Sequence, residues 1–355
     1  MFCKKIYKVT IYCMFKSKDL YHSAFAFSLI LLASYVGSKF KQNFYERTND
    51  EYDLIKKYLL NESPLYGMAK PKIWIHSKYE INARSWGMRN THNLNQPYLH
   101  LTIQSIIDHC GDDFHVCLID DRTFSNLIPG WDVDVSNLAE PMKSQIREMG
   151  LMQLIYIYGG MLVPNSFVCT KNLKSVYNDG LFGGRPFVCE SINRTLNLLE
   201  QKRVKFFIPD LYFMGAKRDD ATMFELVEYL KARNLTLHAT HEMAFTGDSN
   251  QWCINAISNQ RMNLIGGEKI GIKSADRKQI LLEDIMEEKD LGLSSDCCGI
   301  YIPADEVLKR TKYQWLAFMS NQELLKSDIA ISRYIKASSS DAQYKPSVIV
   351  STVAF

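Results

Sequence analysis

Asp120 and Asp121 close the apolar run at residues 114–119. A carboxylate at a strand end can accept a ribose or sugar hydroxyl, or hold a hard cation through oxygen. The same pair also suits a solvated turn, because Asp side chains bond local backbone N–H groups. His238 and His241 stand three residues apart, with Glu242 next in sequence. On a helix that spacing would suit a metal, with Glu as a base. Residues 235–239 alternate like a strand, however, which puts the imidazoles on opposite faces and favours a structural role. The nine cysteines contain no Cys-x-x-Cys pair, so zinc-ribbon and thioredoxin-type chemistry are excluded. Cys117, Cys169 and Cys189 lie in apolar runs and read as small buried hydrophobes. The adjacent Cys297 and Cys298 read as inert buried thiols, with oxidation as the competing reading. There is no Gly-rich phosphate loop and no Gly-x-Ser-x-Gly elbow. Gly183–Gly184 and Gly266–Gly267 read as turns. Lys309, Arg310 and Lys312 read as a solvated helix face.

The elements that must hold these groups alternate. Residues 72–76 read as a strand. Pro97 sits in a helix first turn, and Leu99, Ile103, Ile106 and Ile107 mark one apolar face. Gly111 stops that helix, and residues 114–119 form the next strand. Ser144 can cap a helix carrying Ile146, Met149, Leu154, Ile155 and Tyr158. Gly159 and Gly160 end it, and residues 161–163 are a third strand. Residues 211–216 are another strand, followed by a helix capped at Asp219 or Asp220 with Met223, Phe224, Val227 and Leu230 inside. Residues 235–239 read as a further strand. This rhythm predicts an α/β layer fold with a mainly parallel sheet flanked by helices. Ligands of such sheets sit at the carboxyl ends of the strands. That places attention on His76, Ser77, Asp120, Asp121 and the segment after Val163.

The chain has 355 residues, 46% hydrophobic and 23% charged, which excludes wholesale disorder. A net charge of +3 gives no global pull toward nucleic acid, and no nucleic-acid partner is expected. Residues 20–38 carry no Asp, Glu, Lys or Arg, and five lysines precede them. They read as a transmembrane signal anchor behind a short basic tail at 1–19. A cleaved signal peptide and a buried helix are the competing readings. The organisation then runs through a stem at 39–70, a catalytic-type body at 71–320 and an extension at 321–355. The implied topology is single-pass type II with a lumenal body, which the sequons at Asn193 and Asn234 fit.

The runs KPKIWIHS at 70–77, QPYLHLTIQSIIDHCGDDFHVCLIDDRTFSNLIPGW at 96–131 and LMQLIYIYGGMLVPNSFVC at 151–169 follow in order. Together they resemble the sugar transferases that share a DxD motif, including the capsular polysaccharide synthesis type. LYFMGAKRDDATMFELVEYL at 211–230 is a weaker match, and residues 299–320 bear a fainter likeness to proteins of large DNA viruses. The resemblance implies a GT-A-like nucleotide-diphospho-sugar transferase fold and a hexosyltransferase-type activity. The partners implied are a nucleotide-sugar donor and a glycan or glycoprotein acceptor. It also implies a substrate site containing Trp74, His76, Asp120, Asp121, Arg147, Gly159 and Gly160.

The departures from that family are specific. Counted from Tyr158-Gly159-Gly160, the two motif aspartates fall on Pro164 and Ser166. In the family this motif holds a divalent metal that neutralises the diphosphate leaving group. Neither residue here is a carboxylate, so no metal cofactor is expected. The family's Ser-Asp-x-x-Arg aligns with Arg147, Glu148 and Leu151. That leaves Glu148 as the candidate catalytic carboxylate, binding the donor sugar or serving as a base, with Arg147 as a cation in place of the metal. The competing reading is an inactive member of the fold acting as a membrane-anchored glycan-binding or scaffolding protein.

Overall fold

The computed structural model describes residues 70–77, 96–191, 207–235 and 242–341. All of them belong to one compact unit, Lys56–Phe355. The segments read as an anchor at 20–38 and as a stem up to residue 69, together with Asn193, His238 and His241, lie outside the described residues. No described helix is long and apolar enough to cross a membrane.

Strand β1 (Lys72–His76) is apolar on both faces, with Ile73, Trp74 and Ile75 fully enclosed. Such continuous apolar runs suit a parallel strand covered on both sides. It lies between β2 (His115–Ile119) and β3 (Gly160–Leu162), parallel to each. The main sheet has the order β2-β1-β3-β6-β5-β7, with β5 at Phe187–Glu190, β6 at Pro209–Ala216 and β7 at Asn263–Ile265. β6 runs against both its neighbours, while β5 and β7 are parallel. Five strands therefore point one way and β6 points back. The mainly parallel α/β sheet flanked by helices is the class the sequence predicts.

Helix α1 (Tyr98–Cys110) and α2 (Thr123–Leu127) precede α3 (Met142–Tyr158). α3 is buried continuously from Gln145 to Ile155. It packs between the sheet and two later helices, α5 (Ala221–Leu235) and α6 (Glu242–Ser258), so its amphipathic contrast is low. α4 (Lys174–Gly180) precedes β5. Ser144 is not the cap of α3. It lies one turn inside, where its N–H and hydroxyl donate to Glu140 Oε2 at 3.1 and 2.6 Å. Asp220 does cap α5, accepting the Met223 N–H at 3.0 Å. Leu235, expected to open a strand, is the last residue of α5. The 3.6-residue apolar period set by Met223, Leu226, Val227 and Leu230 carries the helix through it.

A second core forms around the antiparallel pair β4 (Phe167–Cys169) and β8 (Gly299–Tyr301). Helices α7 (Leu282–Ile285), α8 (Ala304–Lys309), α9 (Trp315–Phe318), α10 (Asn321–Lys326) and α11 (Ala330–Asp341) gather there. Leu324, Ala330, Ile331 and Ile335 from the segment read as an extension are buried against Tyr98, Val168 and Ile300. Cys297 and Cys298 are buried free thiols, as are Cys117, Cys169 and Cys189.

Candidate active site at the carboxyl ends of the strands

His76 is the last residue of β1, and Asp121 stands two residues beyond β2. The register pairs His76 with Ile119, which brings the two ends level. The second turn of α3 supplies Arg147. His76 Nε2 lies 2.9 Å from Asp121 Oδ1, so the imidazole donates to the carboxylate. Arg147 Nε donates to Oδ1 at 2.8 Å and Nη2 to Oδ2 at 2.7 Å, a two-point fork. The imidazole stacks flat on Phe124. Burial alone would raise the Asp121 carboxyl. The hydrogen bonds from Arg147 and His76, with their charge, reverse this and hold it well below the usual carboxylate range. Asp121 is thus an ionised residue already saturated by this chain's own donors. Its role here is to orient Arg147 and His76.

Asp120 works locally. Its Oδ1 accepts the N–H groups of Arg122 and Thr123 and the Thr123 hydroxyl, at 3.1, 3.0 and 2.6 Å. It closes the turn into α2, in the manner of an Asx turn.

Glu148 follows Arg147 on α3 and points elsewhere, because successive helical residues diverge by about 100°. Its carboxyl is buried and pushed up to about 7. Burial is the main cause, the charge of Asp210 adds to it, and a hydrogen bond with Ser249 of α6 works against it. Oε1 has no hydrogen-bond partner. One turn earlier, Gln145 is fully buried with both carboxamide atoms unpartnered. Asp210 is pushed up to about 6 by burial and by the charge of Asp305, despite donors from the Tyr212 N–H and the Tyr301 hydroxyl. Burial raises the Tyr212 phenol too, and Glu148 and Asp210 both act on it. The result is two buried carboxyls, each held above its ordinary value, beside the Asp121–Arg147 ion pair.

Asp210, Tyr212, Ser249 and Tyr301 carried no signal in the sequence reading. Asp210 opens β6. It reaches this edge only because β6 runs antiparallel, so its amino end meets the carboxyl ends of the other strands.

The loop after β3 does not fit a hard cation. Pro164 has no side-chain donor, and the Ser166 hydroxyl is buried and donates to the Ile302 carbonyl at 2.8 Å. Among the described residues no group of three or more His, Cys, Asp or Glu side chains is arranged to hold a metal ion.

Trp74, Gly159 and Gly160 are not brought to this crevice. The Trp74 indole is enclosed and its N–H donates to the Gly159 carbonyl at 3.0 Å. Gly159 and Gly160 join α3 to the amino end of β3, the opposite edge of the sheet. Gly160 has φ +102°, and a Cβ there would lie 2.3 Å from the Lys72 carbonyl oxygen. Only glycine lets the two strands approach so closely.

No family model and no curated protein matches the sequence. Among solved structures, the galactosyltransferase LgtC, crystallised with donor and acceptor sugar analogues, is similar over 76% of this chain and 95% of that chain. The identity is 8% and the TM-score 0.36. A likeness of this degree transfers no residue role.

Proposed function

We propose that the chain is a glycosyltransferase-like enzyme that moves a sugar from a nucleotide-sugar donor to a glycan or glycoconjugate acceptor, without a metal at the loop after β3. The observation that carries this reading is the buried Glu148–Asp210 pair beside the Asp121–Arg147 ion pair, at the strand ends where α/β sheets bind ligands. The resemblance of residues 71–170 to DxD-motif transferases adds to it. In this scheme Glu148, ionised, takes the proton of an acceptor hydroxyl. The acceptor oxygen bonds the anomeric carbon, and the bond to the diphosphate breaks with its electron pair leaving on the nucleotide. Arg147, oriented by Asp121, supplies positive charge on the side where that negative charge develops. The body is anchored through residues 20–38 and faces the lumen.

The test is turnover of a panel of sugar nucleotides by the purified protein, with Glu148→Gln as the control. Loss of a general base lowers kcat by about 10²–10⁴-fold. Donor binding without turnover in the wild type would instead support an inactive glycan-binding member of the fold.

A further inference from the structure

The opposite edge of the sheet carries a second concavity. A cleft of about 620 Å³ is lined by Lys70, Lys72, Lys174, Lys217 and Arg218, against two carboxylates, Asp112 and Asp113. Its volume lies in the range of small-molecule sites. Lys72 opens β1. Lys217 and Arg218 follow β6, whose reversed direction delivers them to the amino ends of the parallel strands. Gly159 and Gly160 line the cleft without side chains. A Cβ on Gly159 would sit 2.8 Å from the Arg218 backbone nitrogen.

The charges do not cancel internally. Lys174 pairs with Asp113 at 2.6 Å, and Arg218 lies 3.2 Å from Asp219, both in exposed positions where such pairs are weak. Neither Lys72 nor Lys217 has an ion-pair partner among the described residues. The positive potential reaches a neighbour: His115, paired with Lys72 across the sheet, is held below its ordinary value by burial first and then by Lys72 and Lys70.

We propose that this cleft binds the diphosphate group of a small molecule, at a site separate from the carboxyl-end crevice. Two cations with no ion-pair partner among the described residues flank β3, Lys72 on β1 and Lys217 beyond β6, which suits two adjacent phosphoryl groups better than one. A concave site with more cations than carboxylates on its walls fits a compact anion. The diphosphate is either free inorganic diphosphate or the diphosphate of a nucleotide.

Calorimetric titration of the full chain with inorganic pyrophosphate tests this, with uridine diphosphate as a second arm. The variants are the double charge reversal Lys217→Glu with Arg218→Glu, both exposed residues, and Lys72→Gln on the other wall. The expected result is pyrophosphate binding that weakens with salt and falls about tenfold or more in the double variant, with the thermal midpoint unchanged. Lys72→Gln lowers affinity in the same direction. Uridine diphosphate binding more tightly than pyrophosphate, and losing that affinity in the double variant, assigns the nucleotide source. Equal affinities assign free diphosphate. Absence of pyrophosphate binding at low salt, or an affinity the folded double variant leaves unchanged, overturns the proposal.

Discussion

Arg147 grips both oxygens of Asp121, Nε on Oδ1 at 2.8 Å and Nη2 on Oδ2 at 2.7 Å, while His76 also donates to Oδ1 at 2.9 Å. Arg147 is 1% exposed, so the pair stands largely out of water. Removing one partner of a buried pair costs more than the pair contributes, because the other charge is left desolvated. Arg147→Met is expected to lower unfolding free energy by about 3 kcal/mol in urea titrations. Arg147→Lys keeps the charge and loses the fork, and is expected to recover only part of that. A Lys variant as stable as wild type would show that the two-point geometry is not what holds the site.

Protonation sets opposite slopes on stability. Glu148, raised from 4.5 to about 7, and Asp210, raised from 3.8 to about 6, are acids whose folded pKa exceeds the unfolded one. Their contribution is fully present below the unfolded values and is lost as pH rises through 6 and 7. For Glu148 the loss is on the order of 3 kcal/mol. Asp121 is lowered, so its contribution is present above its ordinary value and lost as pH falls toward the folded one. Stability is therefore expected to peak at about pH 4 and to decline from there toward neutrality. Glu148→Gln should flatten that decline. Denaturant midpoints measured across pH decide it, and a Gln variant with an unchanged slope would place the titrating group elsewhere.

Much of this was legible in the sequence. The runs at 72–76 and 114–119 are strands because their apolar residues are continuous and bounded by breakers. The glycines at 159 and 160 end a helix where it was expected. The acidic pair at 120 and 121 falls at a strand end, with one member spent on a turn and the other on the ion pair. The direction of β6 was not legible, because a single apolar run reads the same in either sense. Asp210 and the basic cleft both depend on that reversal. Gly159 and Gly160 were read with the substrate site because they border the motif in sequence, yet β3 carries the chain from one edge of the sheet to the other between them and Pro164.

Metal binding at the loop after β3 is expected to be weak. Pro164 offers no ligand atom and Ser166 is engaged with Ile302, whereas manganese and magnesium favour several hard oxygen ligands. Titration with manganese, with and without a nucleoside diphosphate, should give no tight binding, and activity should persist in chelator. Tight binding that depends on the nucleotide would mean that other carboxylates assemble a site. The double change Pro164→Asp with Ser166→Asp is expected to introduce cation binding.

Membrane topology is tested separately. With five lysines ahead of residues 20–38, the body is expected to be protected from protease added to sealed microsomes. Modification at Asn193 is the better reporter of lumenal exposure. Asn234 is half-buried on α5, its Nδ2 3.5 Å from Met149 of α3. A body digested from the cytoplasmic side would contradict the anchor assignment.

The proposed role of Glu148 as the base of sugar transfer at the carboxyl-end crevice has a direct readout. The most direct measurement is release of nucleoside diphosphate from a panel of sugar nucleotides by wild type and Glu148→Gln, in chelator, across pH. Turnover of at least one donor is expected, rising as Glu148 ionises near pH 7 and reduced by about 10²-fold or more in the variant without loss of donor binding. Turnover that is the same in wild type and variant, with the same pH profile, would contradict it.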